Sequence, residues 1–157
     1  MYKFEICANS VASCIAAQEG GADRVELCAG IPEGGTTPSY GMIRSARENI
    51  TIALNVIIRP RGGDFLYSKE ELTEMLYDIR TAKELGVKMI NLTWNRGNAL
   101  SGTNFEEPGR GLSEQGRAFV KRAQELDILM DVSHLSDPGF WDLVRITEKP
   151  IVASHSN

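Results

Sequence analysis

Six short apolar runs, separated by segments of helical period, constrain this chain most: Phe4-Glu5-Ile6-Cys7, Val25 to Cys28, Ile52 to Ile58, Met89 to Trp94, Ile128 to Ser133 and Ile151 to Ser154. Each reads as a buried strand. Between the third and fourth runs, Leu72, Met75, Leu76, Ile79 and Ala82 follow one another at helical spacing behind the capping-box sequence Ser68-Lys69-Glu70-Glu71. Ser10, Ser39 and Ser113 are placed to cap further helices, and Gly20, Gly86 and the Asp127 region to end them. Strand–helix alternation of this kind requires parallel strands with right-handed crossovers. No G-x-G-x-x-G follows the first run, and polar residues cluster where the strands end, so a barrel of repeated units fits better than an open doubly wound sheet. A complete barrel takes about 250 residues. The predicted fold class for 157 residues is therefore α/β, a partial (β/α) TIM-type barrel of about six parallel strands.

One domain over residues 1–157 is expected, with one sheet running continuously past Gly86, since no Pro- or Gly-rich linker interrupts the pattern. Seventeen Lys and Arg against 21 Asp and Glu give a net charge of -4, which offers nucleic acid or an anionic membrane surface no electrostatic attraction. No run approaches the roughly 18 apolar residues of a membrane span, and Met1 to Glu5 leads into strand sequence without a signal-peptide core, so a cytoplasmic location is expected. The three cysteines are odd in number and lack C-x-x-C spacing, which predicts reduced thiols. An incomplete barrel leaves strand edges open, so self-association as a homodimer is expected. The long irregular stretch from Asn95 to Gly111 reads as a functional or disordered loop on the face where such barrels carry their chemistry.

Three groups of residues carry candidate chemistry. Arg24, Glu26, Arg59 and Arg61 are charges in or just after otherwise apolar strands, and two readings stay open for them. They form an internal ion-pair layer, or the segment Arg59-Pro60-Arg61-Gly62-Gly63-Asp64 offers forked guanidiniums and glycine amides to a small anionic ligand. Cys7 and Cys28 are either inert buried thiols or ligands for Cu(I), which favours thiolates. His134 and His155, the only histidines, each stand at the end of a strand. Neighbouring parallel strands lie about 4.8 Å apart and can aim two imidazoles at one divalent ion such as zinc, with Asp131 orienting a ligand and Glu5 or Glu26 as third ligand.

Two families resemble this chain. The segments Glu5-Ile6-Cys7-Ala8, Gly21 to Cys28, Glu33 to Ser39 and Ile57 to Phe65 closely resemble the CutC copper homeostasis family over residues 1–87. That resemblance implies a pocket gathering Glu5, Arg24, Glu26, Arg59 and Arg61. The segments Leu92 to Asn95, Asn98 to Leu100, Gly111 to Ser113, Asp131 to Asp137, Phe140 to Asp142 and Ala153 to Asn157 are similar to the membrane (renal) dipeptidase family of zinc hydrolases over residues 88–157. That second resemblance implies His134 and His155 as ligands of one of a pair of zinc ions. Glu5-Ile6-Cys7 and Arg59-Pro60-Arg61 stand where the dipeptidase pattern needs a His-x-Asp pair and a bridging glutamate, and the arginines oppose a nearby cation. The expectation is a chimeric or engineered partial barrel with residual divalent-metal or small-anion binding, zinc before copper, and no efficient turnover. A weak zinc-dependent dipeptidase-like hydrolase and a CutC-like copper-binding protein are the alternatives.

Overall fold

All six apolar runs contain parallel strands. In the computed structural model, which describes residues 3–87, 89–93 and 96–153, β1 (Glu5–Ala8), β2 (Arg24–Leu27) and β3 (Ala53–Val56) pair in sequence order. Strands β4 (Met89–Asn91), β5 (Leu129–Asp131) and β6 (Ile151–Val152) do the same. Helices α1 (Val11–Glu19), α2 (Tyr40–Asn49), α3 (Lys69–Glu84), α4 (Glu114–Glu125) and α5 (Asp137–Ile146) occupy the five connections. The class is α/β, with parallel strands alternating with helices, as the sequence predicts. The described strands form two three-stranded sheets, β1-β2-β3 and β4-β5-β6, in place of one continuous sheet. Past β3 the backbone turns to another partner: Arg59 N donates to Thr37 Oγ1 at 2.7 Å, and Arg59 O accepts from Thr37 N at 2.8 Å.

Serine caps start the helices as their positions suggest. Ser10, Ser39 and Ser113 each accept from the backbone N–H three residues on, and Ser136, not singled out in the sequence, does the same for α5. Ser68 and Glu71 form a reciprocal capping box, Ser68 N to Glu71 Oε2 at 2.7 Å and Glu71 N to Ser68 Oγ at 3.2 Å. Three helices end alike, each with a left-handed residue and a bond back across the last turn. The residues are Gly21, Gly86 and Asp127, followed by Ala22 N to Ala17 O, Val87 N to Ala82 O and Ile128 N to Ala123 O, each 3.0 Å.

The chain packs as two compact units, Met1–Gly63 with Thr73–Lys88, and Asp64–Leu72 with Met89–Asn157. In the first, Val25, Leu27 and Leu54 are fully buried with Cys14 of α1 and Ala46 of α2. In the second, Met130, Val120 and Leu143 are buried together with Leu100, Ser101 and Thr103 of the long connection after β4. That connection is neither disordered nor loosely attached over its described residues. Buried Asn98 donates to Leu92 O at 2.7 Å and accepts from Leu100 N and Ser101 N, and the Arg110 guanidinium donates to Asn98 O at 2.6 Å and Ser101 O at 2.9 Å. Asn95, where the irregular stretch was expected to begin, lies outside the described residues. No helix among the described residues is long and apolar enough to cross a membrane.

Candidate functional site

Side-chain alternation writes a polar face onto the first sheet. Register sets Glu5 beside Arg24, and Cys7 beside Glu26, which in turn faces Asn55. The intervening residues Val25, Leu27, Leu54 and Val56 are buried. Cys28 continues the alternation one residue past β2, where its backbone N–H donates to Ala8 O at 2.9 Å and prolongs the ladder. The result is a pair of thiols: Cys7 Sγ lies 3.5 Å from Cys28 Sγ, and the Cys28 thiol also donates to Ala8 O at 3.6 Å. Cys7 is exposed, whereas Cys28 is 3% exposed. Burial, then the hydrogen bond with Cys7 and the charges of Cys7 and Glu26, push the Cys28 thiol up to about 12. Cys14, the third thiol, is wholly buried in α1 and its pKa is raised by that burial.

The charged candidates of the first unit are tied to protein partners. Glu5 accepts from Arg24 Nε through one carboxylate oxygen and from Asn55 Nδ2, at 3.0 Å, through the other. Asn55 is a functional neighbour that sequence reading missed, although a polar residue at that parity inside an apolar strand was the available signal. Arg59, 5% exposed, donates through Nη1 to Glu33 O at 2.6 Å and Gly35 O at 2.8 Å, and through Nη2 to Gly63 O at 3.1 Å. Its guanidinium thus organises the loops holding the short 3-10 helix Ile31–Glu33 and Gly62-Gly63. A side chain at Gly34, where φ is +82°, would place its Cβ 3.2 Å from Arg59 Nη1. Arg61 Nη1 donates to Gly62 O at 3.0 Å. On α3, burial and the neighbouring Glu74 raise the Asp78 pKa against the opposing effect of a hydrogen bond with Thr37.

In the second unit, β4 and β5 end in the same way. Thr93 N donates to Asn91 Oδ1 at 3.3 Å, and Ser133 N to Asp131 Oδ1 at 2.9 Å, so side chains take over from the ladder. Asp131, 2% exposed, also accepts from Ser133 Oγ at 2.7 Å. His134 is half-buried with a left-handed φ of +67°, and His155 lies outside the described residues. Among the described residues no cluster of three or more His, Cys, Asp or Glu forms a metal-binding group. The preference for zinc finds no assembled site among the described residues, which do not include His155.

A soft cation suits the preorganised pair of thiols. Thiolate–metal bonds are about 2.3 Å long, so two sulfurs at 3.5 Å both reach a single ion. Thiolates are soft ligands that suit Cu(I) as well as zinc.

Comparison with known proteins agrees with the first sheet and changes the reading of the rest. The model of the CutC family matches residues 2–101. A curated CutC family protein of Bacteroides thetaiotaomicron is 71% identical over 86 residues, 54% of this chain and 34% of that protein. The chain thus spans about a third of the length of the curated relatives it matches. The crystal structure of the putative copper homeostasis protein CutC from Streptococcus agalactiae covers 96% of this chain and 85% of its own, with 28% identity and a TM-score of 0.59. The probable dipeptidase PvdM from Pseudomonas aeruginosa covers 98% of this chain and 51% of its own at 16% identity and a TM-score of 0.62, a likeness of fold alone. The expectation of a hybrid joined near Gly86 is corrected by these matches: one family model runs across residue 87 to residue 101, and one solved relative follows nearly the whole chain.

Proposed function

Because the chain belongs to the CutC family, we propose that it handles copper, with Cys7 and Cys28 as the thiols that take up Cu(I) as cargo. The 3.5 Å approach of the two sulfurs carries the reading, since it gathers soft donors without any movement of the strands. Exposed Cys7 meets the incoming ion first, and buried Cys28 completes its coordination. Each thiol releases its proton on binding, so the neighbouring Glu5–Arg24–Asn55 network acts by holding β1, β2 and β3 in register rather than by supplying ligands. The solved relative from Streptococcus agalactiae is a putative copper homeostasis protein, and the same role is proposed for this chain. Cu(I) uptake by reduced thiols calls for a reducing compartment, and a cytoplasmic location is part of the proposal. X-ray absorption at the copper edge tests it on the Cu(I)-loaded chain. Sulfur scattering that disappears in the Cys7→Ser/Cys28→Ser variant is expected. Coordination by nitrogen or oxygen alone, unchanged in that variant, would overturn the proposal.

A further inference from the structure

We propose that Cys7 and Cys28 are also a reversible dithiol–disulfide couple, so that oxidation by a small-molecule disulfide closes the copper site; this rests on the copper reading above for its consequence but not for its chemistry. The two sulfurs stand 3.5 Å apart on adjacent, directly paired segments, and a disulfide requires about 2.05 Å. Rotation of the exposed Cys7 side chain toward the buried Cys28 thiol supplies the remaining approach. The third thiol is kept out of the reaction by the fold. Cys14 has no exposed surface, while Cys7 is open to solvent.

Exposure sets the order of events. The Cys7 thiolate attacks one sulfur of glutathione disulfide, forming the Cys7–glutathione bond and releasing one glutathione thiolate. Cys28 then attacks Cys7 Sγ, forming the Cys7–Cys28 bond and releasing the second glutathione, which takes the Cys28 proton. Two protein thiols are oxidised and one glutathione disulfide is reduced to two glutathiones, so atoms and electrons balance. With both sulfurs in one covalent bond, neither remains as a thiolate for Cu(I).

The experiment treats the purified full-length chain with glutathione disulfide, alkylates the remaining thiols and maps the products by mass spectrometry. Loss of two of the three thiols, a Cys7–Cys28 linked peptide, alkylation of Cys14 only after denaturation, and reversal by dithiothreitol are expected. Cys28→Ser should stop at the glutathione adduct on Cys7, and Cys7→Ser should react at neither site. A wild-type chain that ends as the Cys7 adduct, that links either residue to Cys14, or that keeps all three thiols would overturn the proposal. Cu(I) uptake measured before and after oxidation separates the two claims. Uptake lost on oxidation and regained on reduction supports both, uptake without any disulfide overturns only the couple, and a disulfide in a chain that takes no Cu(I) when reduced overturns only the copper reading.

Discussion

Replacing Glu5 by alanine removes the carboxylate that Arg24 and Asn55 both address. The Arg24 and Glu5 side chains are 16% and 18% exposed, so the guanidinium left behind is poorly placed to recover its hydration. Removing one partner of a buried pair costs about 3–5 kcal/mol, and residual solvent contact sets the value here at the lower end, about 3 kcal/mol. Asn55, itself 4% exposed, also loses its acceptor, so about 3 kcal/mol is a lower bound. For a chain of this size the thermal midpoint falls about 2–4 °C per kcal/mol, which gives a drop of roughly 6–12 °C for Glu5→Ala. Urea unfolding followed by circular dichroism measures it, with Arg24→Met and the double variant completing a cycle. Coupling of at least about 1 kcal/mol between the two positions is expected. Because Glu5 is assigned to the sheet and not to the metal, Glu5→Gln should leave Cu(I) affinity within about threefold of wild type. A Glu5→Ala variant within about 0.5 kcal/mol of wild type would refute the structural role, and a large loss of copper affinity in Glu5→Gln would restore it as a ligand.

Arg59→Lys leaves one ammonium where a fork reached the carbonyls of Glu33, Gly35 and Gly63, so about 2 kcal/mol is lost and amide exchange over residues 31–35 quickens; unchanged exchange there would contradict the assignment. Gly116→Ala places a Cβ 2.1 Å from the backbone oxygen of Leu100, which cannot swing aside, and should destabilise the second unit by about 2–3 kcal/mol in the same urea assay. Cu(I) affinity should rise with pH between about pH 6 and 9, approaching tenfold per unit for each thiol proton displaced. The sign follows from Cys28, whose thiol burial pushes up to about 12, so that it holds its proton over that range and lower pH strengthens the proton's competition with the metal. A flat profile would show that protonated thiols are not the ligands.

Much of this architecture is local and was legible for that reason. Ser10, Ser39, Ser68 and Ser113 announce their helices because a capping bond needs only three residues of chain. Ser136-Asp137-Pro138 carries the same signal and was passed over. The apolar runs that begin at Ile52 and Met89 extend past the ends of β3 and β4, since apolar character persists after the ladder has stopped. At β4 it stops because Asn91 takes the Thr93 amide onto its own side chain. The connection after β4 reads in sequence as a functional or disordered loop, and its order comes from tertiary bonds of Asn98 and Arg110, which no local pattern encodes. Alternation alone put Cys7 and Glu5 on one face, but only register brings Cys28 to Cys7. Arg59 shows the same limit. Its type leaves an ion-pair layer or a small anion open, and no local pattern shows that it reaches the carbonyls of Glu33 and Gly35, distant in sequence.

Anaerobic titration of the reduced chain with Cu(I) against a competing chromophoric chelator tests the central claim most directly, run on wild type, Cys7→Ser, Cys28→Ser and Cys14→Ser. One equivalent bound by wild type and by Cys14→Ser is expected, with affinity lowered at least about 100-fold in each of the other two variants, as the loss of one of two thiolate ligands requires. Wild-type stoichiometry and affinity retained in both Cys7→Ser and Cys28→Ser would contradict it.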